Sequence, residues 1–431
     1  MHCLLTALGS YGDVYPMIGL GVALRERGHD VTLVANPHFT ADIAAAGLEM
    51  VELATAEDYD RLTQTAGLWS ARTGLAVVFR EAAVGLMQRL DELVRTHSRP
   101  GETLLVPHGL DLASRVLAEK FDMPAMSVVY APMALWSNET PPRMPAGFAP
   151  PGAPLWLHKL QFALGDRTFV GSIVMKPLNE FRASHGLPPI RGSFLDWYYK
   201  VAPALCLFPD WFASPDGAVP SDWPAGTVTT GFPLGDGAAG RDDEPLSDVL
   251  NLFLDTGDPP IVFTPGSGMR FGHKFFEAAV DACQRLGRRG VLLTKYAEQL
   301  PATLPTSVIA PGFTPLSQLL ERSAAFVHHG GVGSAARGLA AGVPQLVQPK
   351  AFDQFDNAWR LRRLGVAEEL TASRFTGRRV AQSLERLLTS PTVAKVVRHW
   401  QTKCDSQAAL LLACEELERR FESLGGSNRG M

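Results

Sequence analysis

The stretch Phe326-Val327-His328-His329-Gly330-Gly331-Val332-Gly333-Ser334 decides the fold of this chain. Its apolar start predicts a buried strand, its glycines predict a tight turn, and the residues after them predict the start of a helix. Glycines let the backbone approach a ligand closely, and the free N–H groups of a new helix point at that ligand, which suits a diphosphate. His329 ends the predicted strand, where it can donate to a phosphate oxygen.

A dinucleotide-binding domain is the rival interpretation of this turn, because Gly331 to Ala336 matches the pattern G-x-G-x-x-A. That fingerprint also needs an acidic residue at the end of the next strand to hold a ribose. Here the next strand ends in Val347-Gln348-Pro349, and the turn after the first strand of the chain has no G-x-G. A nicotinamide or flavin oxidoreductase is therefore the less favoured alternative.

Short apolar runs alternate with helical patterns through both halves of the chain, which indicates parallel sheets covered on both faces. The predicted strands are Leu4 to Leu8, Val31 to Ala35, Thr103 to Val106, Ala125 to Tyr130, Ala204 to Phe208, Ile261 to Thr264, Val291 to Thr294, Val308 to Ala310, Ala325 to His328 and Gln345 to Val347. The predicted helices include Met17 to Arg27, Lys274 to Leu286 and Ser334 to Ala341. The fold class is α/β, with two doubly wound Rossmann-like domains facing a cleft at the carboxyl ends of their strands.

A glycine- and aspartate-rich stretch from Gly235 to Pro245 cannot bury an apolar face and marks the domain boundary. The length of 431 residues also favours two domains over one core. We predict an N-terminal domain over residues 1–235, a C-terminal domain over residues 246–393, and a helical tail over residues 394–431 that packs back on the N-terminal domain.

The composition is that of an ordinary globular protein, with 46% hydrophobic residues, 19% charged residues and a net charge of -4. No nucleic acid partner is expected, because that polyanion would select a basic face. The five cysteines are an odd number without a C-x-x-C pair, which predicts buried free thiols in a reducing compartment. The chain has no signal-peptide pattern and no apolar run of about 18 residues. We expect a cytoplasmic protein whose membrane contact is at most peripheral, at the inner face.

The stretch from Glu139 to Pro154 breaks the alternating pattern with six prolines, and Trp156 to Phe169 predicts an amphipathic aromatic helix. We interpret this region as an insertion over a mostly apolar pocket, the usual character of a ligand site. Trp136 and Trp156 are its candidate residues for binding a small lipophilic molecule. Ordinary core packing is the alternative for any one of these side chains.

Further motifs occur in order along the chain: Gly9-Ser10-Tyr11-Gly12-Asp13-Val14-Tyr15-Pro16, Gly312-Phe313-Thr314-Pro315-Leu316, Gly342-Val343-Pro344 and Asp353-Gln354-Phe355-Asp356-Asn357-Ala358. With the turn at His329, the last three resemble the donor-binding signature of the UDP-glycosyltransferase superfamily, and the first is similar to the opening of bacterial antibiotic, sterol and rhamnosyl transferases. The resemblance covers the whole chain and implies the GT-B fold. Through Val262-Phe263-Thr264 and the last two motifs, the chain most resembles the second subunit of the rhamnolipid rhamnosyltransferases.

The resemblance implies an acceptor site in the first domain and a nucleotide-sugar donor site in the second. The donor-binding residues that it implies are Ser10, Gly12, Ser267, Phe313, Thr314, His329, Gly331, Val332, Gly333, Ser334, Asp353 and Gln354. Phe313 would stack on the nucleobase, an interaction of roughly 1–3 kcal/mol, and fits uracil and thymine alike. Asp353 and Gln354 would hold the sugar hydroxyls. Arg337 departs from the pattern, because many relatives carry a ribose-gripping glutamate there, and we interpret it as a solvated helix residue.

Asp13 is the candidate catalytic residue, because it occupies the position where plant relatives carry a catalytic histidine. An aspartate carboxylate is ionised at neutral pH and can take the proton of an acceptor hydroxyl, a contribution of roughly 10²–10⁴-fold. The alternative is a cap for a helix that begins near Pro16. A base on one side and a leaving diphosphate on the other imply displacement with inversion at the anomeric carbon.

The resemblance therefore implies an inverting glycosyltransferase that moves rhamnose or a hexose from a UDP- or dTDP-sugar to a hydroxyl of a small lipophilic acceptor. No cofactor is expected beyond that co-substrate. No metal is expected, because the chain has no D-x-D near the donor motifs and no ligand cluster with metal spacing. Two alternatives stay open: a sugar-nucleotide epimerase on the same fold, and a non-catalytic subunit that only binds the nucleotide.

Overall fold

The computed structural model describes residues 1–65, 67–214, 217–234, 244–312 and 314–425, with only the backbone at Leu424 and Gly425. Residues 235–243, most of the predicted boundary stretch, lie outside the described residues. The chain divides into two compact units, Met1–Ala239 with Ser406–Met431, and Gly240–Asp405. Among the described residues, no helix is both long enough and apolar enough to cross a membrane.

Parallel strands form the two sheets described in the first unit. The strands are β1 (His2–Ala7), β2 (Asp30–Ala35), β3 (Glu49–Glu52), β4 (Thr103–Val106), β5 (Ser127–Val129), β6 (Ala204–Cys206) and β7 (Val228–Thr229). One sheet has the order β3-β2-β1-β4 and the other β5-β6-β7, and a single bridge between Leu105 and Ala125 connects them. Because β1 pairs with strands on both sides, all six of its residues are buried.

Helices connect these strands. The α-helices described in the first unit up to the boundary are α1 (Tyr11–Glu26), α2 (Thr40–Ala45), α3 (Ala56–Gln64), α4 (Gly74–Val78), α5 (Met87–His97), α6 (Leu112–Phe121), α7 (Leu155–Gly165), α8 (Lys176–Ser184), α9 (Phe194–Val201) and α10 (Asp210–Ala213). Two 3₁₀ helices (Pro37–Phe39 and Pro132–Ala134) and two π-helical segments (Phe79–Val84 and Asp166–Met175) accompany them. The second π-helical segment joins α7 to α8 without a break, so the aromatic helix is longer than its sequence pattern indicates.

Helix α1 begins six residues before the predicted start at Met17, at Tyr11. Ser10 and Asp13 form a capping box that starts it: the Asp13 carboxylate accepts from the Ser10 N–H at 2.7 Å and from the Ser10 hydroxyl at 3.2 Å. Such a box satisfies N–H groups that a helix start would otherwise leave unpaired. The first turn of α1 therefore contains the residues that the sequence assigned to a loop.

The second unit is one six-stranded parallel sheet in its described part, with the order β10-β9-β8-β11-β12-β13. Its strands are β8 (Ile261–Thr264), β9 (Gly290–Leu292), β10 (Val308–Ile309), β11 (Ala325–His328), β12 (Gln345–Val347) and β13 (Ala367–Glu369). Its α-helices are α11 (Asp248–Asp255), α12 (His273–Leu286), α13 (Leu316–Glu321), α14 (Val332–Ala340), α15 (Gln354–Arg363), α16 (Gly377–Thr389) and α17 (Pro391–Gln401), with 3₁₀ helices Ala297–Gln299 and Ala372–Arg374. The strand order reverses between β8 and β11, which is the switch point of a doubly wound sheet.

The last helix, α18 (Ser406–Gly425), belongs to the first unit. Three of its residues are buried in the same core cluster as β1 and α1: Ala413, Cys414 and Leu417. Glu418 accepts two hydrogen bonds from the Arg27 guanidinium, at 2.6 and 2.8 Å, and these bonds hold the pKa of Glu418 at about 2. The predicted helical tail is thus divided, since α17 belongs to the second unit.

The α/β class predicted from the sequence is confirmed. Four strands, β4, β8, β11 and β12, have the predicted bounds. Three strands were not predicted: β3, β7 and β13.

Candidate active site

Two glycine turns of the second unit are neighbours, because β8 and β11, the strands before them, pair in parallel. One turn follows β8 as Pro265-Gly266-Ser267-Gly268, and the other follows β11 and leads into α14. Gly266 and Gly330 have φ values of 103° and 94°, a region that favours glycine. The turns lie at the carboxyl ends of β8 and β11, where open α/β sheets bind ligands.

The ring of His329 fits between these two turns. A Cβ atom added to Gly266 would lie 2.9 Å from Cε1 of His329, and one added to Gly331 would lie 2.6 Å from Nε2. Among the described residues, neither ring nitrogen has a hydrogen-bond partner, and Nδ1 is buried. Burial, together with the charges of His328 and Lys350, lowers the pKa of His329 to about 3. His329 is therefore a neutral ring whose N–H and lone pair are both unpaired within the described residues.

His328, one residue earlier, holds the turn in place. Its Nδ1 accepts the N–H of Gly330 at 3.0 Å, and its Nε2 lies 2.8 Å from Oε1 of Gln345. Since Nδ1 is an acceptor, the ring proton is on Nε2 and donates to Gln345. Burial lowers the pKa of His328 to about 4, so this arrangement persists at neutral pH. The two adjacent histidines thus differ in role, one structural and one free.

The N-terminus of α14 presents unpaired N–H groups beside His329. Its first main-chain hydrogen bond at this end is from Ala335 N–H to the carbonyl of Gly331, at 3.0 Å. The N–H groups of Val332, Gly333 and Ser334 come before that bond and, in the described structure, have no main-chain partner. Such groups attract anions, and the helix dipole adds a partial positive charge. Four predicted donor-site residues, from Gly331 to Ser334, therefore form one anion-binding edge.

The loop after β12 packs against the same turn. Asn357 donates to the carbonyl of Gly330 at 3.0 Å and to Asp353 at 2.7 Å. Oε1 of Gln354 accepts the N–H groups of Lys350 and Ala351, at 2.9 and 3.1 Å. The amide oxygen of Gln354 is therefore occupied by hydrogen bonds within this loop. The Nε2 group of Gln354 has no partner among the described residues and keeps its two N–H donors for a ligand.

The other predicted donor residues of the second unit are more exposed or lie outside the described residues. Ser267 is exposed, and Thr314 is half-buried with its hydroxyl 3.4 Å from the carbonyl of Gly312. Arg337 is half-buried, with Nη1 3.3 Å from the carbonyl of Gly333 in the first turn of its helix. Its guanidinium thus contacts the main chain of its own helix, and its interpretation as a solvated residue stays a prediction. Phe313 lies outside the described residues.

Asp13 is a helix-capping residue and a partly accessible carboxylate at the same time. Its Oδ2 binds Ser10, and a Cβ atom on Gly9 would lie 2.3 Å from that oxygen. Gly9, with φ 130°, is thus the residue that lets the carboxylate fold back over the turn. The Asp13 side chain is 33% exposed. Ser10 is half-buried and Gly12 is exposed beside it.

His108 lies after β4 and faces Asp13, and the sequence alone did not identify it. Its Nε2 is 3.5 Å from Oδ1 of Asp13, and its Nδ1 accepts the N–H of Leu110 at 2.9 Å. Because Nδ1 is an acceptor, the ring proton is on Nε2, and at 3.5 Å from Oδ1 this nitrogen makes no hydrogen bond with the described residues. Tyr130 supports the pair by donating to the main-chain carbonyl of Asp13 at 2.8 Å. No sequence spacing signals this contact, since only the pairing of β1 with β4 brings the two turns together.

The two candidate acceptor residues have different surroundings. Trp136 is half-buried, and its ring lies 4.2 Å from that of Phe162 on α7. Trp156 is 65% exposed. Leu155, Leu160 and Leu164 are also exposed on α7, at 40%, 45% and 45%. The aromatic region thus presents apolar surface on α7 beside one stacked pair.

Among the described residues, no group of three histidine, cysteine or acidic side chains could hold a metal ion.

Comparisons with known proteins match both halves of the chain. The glycosyltransferase family 28 N-terminal domain matches residues 3–132, and the erythromycin biosynthesis protein CIII-like C-terminal domain matches residues 288–409. The O-mycaminosyltylonolide 6-deoxyallosyltransferase of Streptomyces fradiae is 31% identical over 432 residues, which cover 98% of each chain. The dTDP-epi-vancosaminyltransferase of Amycolatopsis orientalis is 28% identical, over 85% of this chain and 84% of its own.

Solved structures of glycosyltransferases have the same fold. The glycotransferase of kitacinnamycin superposes with a TM-score of 0.69 at 21% identity, over 97% of this chain and 99% of its own. The glycosyltransferase VinC in complex with dTDP superposes with a TM-score of 0.66 at 22% identity, over 98% of this chain and all of its own (100%). The predicted GT-B fold is confirmed by these neighbours. The resemblance to rhamnolipid rhamnosyltransferases stays a prediction.

Proposed function

We propose, since the chain belongs to the UDP-glycosyltransferase superfamily, that it transfers a sugar from a thymidine diphosphate donor to a hydroxyl of a lipophilic acceptor, with inversion. Glycosyl transfer from a nucleotide diphosphate sugar is the activity of the superfamily. Our proposals concern the identity of the nucleobase, the inversion at the anomeric carbon, the roles of the site residues and the class of acceptor.

One observation carries the donor site: an anion-binding edge whose polar groups have no partner in the described part of the protein. The N–H groups of Val332, Gly333 and Ser334 and both ring nitrogens of His329 converge on the turn after β11. Unpaired polar groups cost free energy unless a ligand or water satisfies them. A diphosphate supplies several acceptor oxygens at once, so we assign the leaving group to this edge. Ser267 and Thr314 would complete the site from neighbouring turns.

Asp13 is the proposed general base. Its carboxylate takes the proton of the acceptor hydroxyl while that oxygen bonds to the anomeric carbon, and the bond from that carbon to the diphosphate oxygen breaks. The electron pair leaves with the nucleoside diphosphate, whose charge the N–H groups of the second unit stabilise. His108 acts as a positioning residue, because its Nε2–H faces Oδ1 of Asp13 and orients the carboxylate.

Thymine as the base is supported by two relatives whose names state their nucleotide, the dTDP-epi-vancosaminyltransferase and VinC in complex with dTDP. Arg337 supports it as well. A thymidine donor has no 2′-hydroxyl, so it does not need the ribose-gripping glutamate that Arg337 replaces. Asp353 and the free Nε2 group of Gln354 remain the proposed partners of the sugar hydroxyls.

The lipophilic acceptor is supported by the apolar surface of α7 and by the Trp136–Phe162 stack. Ligand sites are mostly apolar with a few polar groups. The curated relative from Streptomyces fradiae is named for transfer to O-mycaminosyltylonolide. We therefore propose an acceptor with a large apolar body and an exposed hydroxyl, and Trp136 as a contact of that body.

The test is a matrix of purified enzyme with UDP- and dTDP-sugars and a panel of macrolide aglycones and long-chain alcohols, followed by mass spectrometry. The expected result is an acceptor mass increased by one glycosyl unit, formed only with thymidine donors. A product whose anomeric configuration matches that of the donor would contradict inversion. Conversion of the donor to an isomeric nucleotide sugar without any acceptor would instead indicate an epimerase, and binding without any turnover would indicate a non-catalytic subunit.

A further inference from the structure

Lys350 is a half-buried lysine in the loop that joins β12 to Asp353. It follows the last residue of β12 by three positions, and β12 is the neighbour of β11, the strand that ends at the His329 turn. Gln354 fixes the loop through the N–H of Lys350. The carbonyl of Gln354 would lie 3.0 Å from a Cβ atom on Gly330, so the loop is in contact with the turn. The main chain of Lys350 thus has one defined position beside the anion-binding edge.

The ammonium group of Lys350 has no hydrogen bond or ion pair with the described residues, and Lys350 is half-buried. Buried charges are normally paired, because leaving water without compensation is costly. Burial lowers the pKa of Lys350 to about 8. The charge of Lys350 in turn contributes to the lowered pKa of His329, after burial and the charge of His328.

No carboxylate described on the neighbouring elements is free to serve as that partner. The acidic side chains of α15 and β13 and of the residue before α15 are engaged elsewhere: Asp353 with Asn357 at 2.7 Å, Asp356 with Arg360 at 2.6 Å, Glu368 with Arg386 at 2.7 Å and Glu369 with Arg362 at 3.6 Å. The turn after β11 carries two histidines, His328 and His329, and α14 carries Arg337. Three of these carboxylates are thus paired with arginines, and within these described elements no carboxylate forms an ion pair with the Lys350 ammonium.

The proposed donor brings two negative phosphates to this edge. His329 is neutral at physiological pH, and the N-terminus of α14 contributes only about half an elementary charge. A leaving nucleoside diphosphate gains further charge as its bond to the sugar breaks, and a full positive charge nearby stabilises it most. No metal is expected to supply that charge.

We propose that Lys350 binds the diphosphate of the donor and supplies the full positive charge that the leaving group needs. This inference rests on the proposed function, because it takes the donor site to be the edge between His329 and Ser334. Lys350 is then a binding residue specific to phosphate, and nucleoside recognition does not depend on it. Its place, three positions before Asp353 of the Asp353–Gln354 motif, also puts it beside the residues proposed to hold the sugar.

The proposal predicts that the protein takes up protons when a nucleoside diphosphate binds. An anion at the ammonium favours the protonated form, so binding raises the pKa of Lys350 and the protein takes up a proton. With a starting pKa of about 8, the uptake at pH 8 is roughly half a proton per nucleoside diphosphate bound. Affinity then falls as the pH rises above about 8, because deprotonation of Lys350 removes the positive charge.

The experiment is isothermal titration calorimetry of the full chain with dTDP, UDP and thymidine, in two buffers of different ionisation enthalpy. The variants are Lys350→Met, Lys350→Arg and, as a matched control, Lys395→Met, which removes an exposed lysine of α17 in the same unit. Lys350→Met should weaken dTDP binding roughly 10- to 100-fold and leave thymidine binding unchanged. Wild type and Lys395→Met should take up the proton at pH 8, whereas Lys350→Met and Lys350→Arg should not.

The outcomes separate this inference from the proposed function. If dTDP binds wild type and Lys350→Met equally, with equal proton uptake, Lys350 has no role and the donor site stands. If neither nucleoside diphosphate binds wild type, the donor site and the role of Lys350 fall together. Proton uptake by wild type needs no variant, so it tests Lys350 even if the methionine variant does not fold. A thermal unfolding temperature of Lys350→Met at or above that of wild type is expected, since the variant removes an unpaired charge that is partly withdrawn from water.

Discussion

Replacement of Asp13 by asparagine tests the proposed base most directly, because the variant keeps the shape of the side chain and removes its ability to take a proton. The amide carbonyl can still accept from the N–H of Ser10, which the carboxylate does at 2.7 Å. The amide N–H₂ group then faces Nε2–H of His108, where Oδ1 now lies at 3.5 Å. Two donors facing each other make this contact unfavourable, so some loss of stability accompanies the loss of function.

The expected loss of turnover is roughly 10²–10⁴-fold, the usual range for removal of a general base, or about 2.7–5.5 kcal/mol of transition-state stabilisation. The loss of the carboxylate charge at the start of α1 costs about 0.3–1 kcal/mol of stability. Turnover should therefore fall far more than stability does. Affinity for dTDP, measured by calorimetry, should be unchanged because the anion-binding edge belongs to the second unit.

Asp58→Asn is the matched control for this prediction. Asp58 is the third residue of α3 and forms the same capping box, accepting from the N–H and hydroxyl of Thr55 at 3.0 Å each. It has no histidine partner in the described structure and is not placed in the site. The control should lose a similar amount of thermal stability and keep its full turnover. If Asp13→Asn retains more than about a tenth of the wild-type turnover with correct folding, Asp13 is only a capping residue and the base lies elsewhere.

The donor and acceptor sites support four further predictions. Substituting His329→Ala should weaken dTDP binding by about 1.5–3 kcal/mol, the scale of a hydrogen bond to a charged group, while thymidine binding stays the same; equal losses for both ligands in calorimetry would place the histidine outside the diphosphate site. Because the pKa of His329 is about 3, the NMR signals of its ring should not titrate near pH 6.5 in the free protein, and a titration midpoint there would mean that the ring is accessible to water and becomes protonated. Turnover should survive dialysis against EDTA, and a loss restored by magnesium or manganese would refute charge neutralisation by Lys350 and the helix N–H groups. In a homologous series of alkyl alcohols, apparent affinity should rise by about 0.8 kcal/mol per buried methylene until the apolar site is full, whereas a flat series would contradict a lipophilic acceptor.

The strands that could and could not be predicted from the sequence differ in their place in the sheet. Buried central strands such as β8 and β11 are continuous apolar runs, so their composition alone identifies them. Strand β13 is an edge strand with the sequence Ala367-Glu368-Glu369, and β3, with Glu49 and Glu52 exposed at its ends, is an edge strand too. An edge strand keeps part of its surface in water and tolerates charged residues, so no apolar run signals it.

The start of α1 shows a local signal with two meanings. Ser10 and Asp13 have the spacing of a capping box, and the same residues have the pattern of a ligand-binding turn. The sequence-based prediction favoured the second meaning and kept the first as an alternative, a cap for a helix beginning near Pro16, so the predicted helix start is too late. In the structure the two meanings coexist, because one oxygen of Asp13 caps the helix and the other faces His108.

The sequence by itself determined the α/β class and the glycine turns beside the anion-binding edge, because these depend on local periodicity and on the backbone freedom of glycine. Only the tertiary structure decided which polar groups remain unpaired there and which residues from distant segments join them. His108 and Lys350 carry no local motif, and each reaches its place through the pairing of parallel strands, β1 with β4 and β11 with β12. The low pKa of His329 has the same origin, because packing removes the ring from water and burial disfavours its charged form.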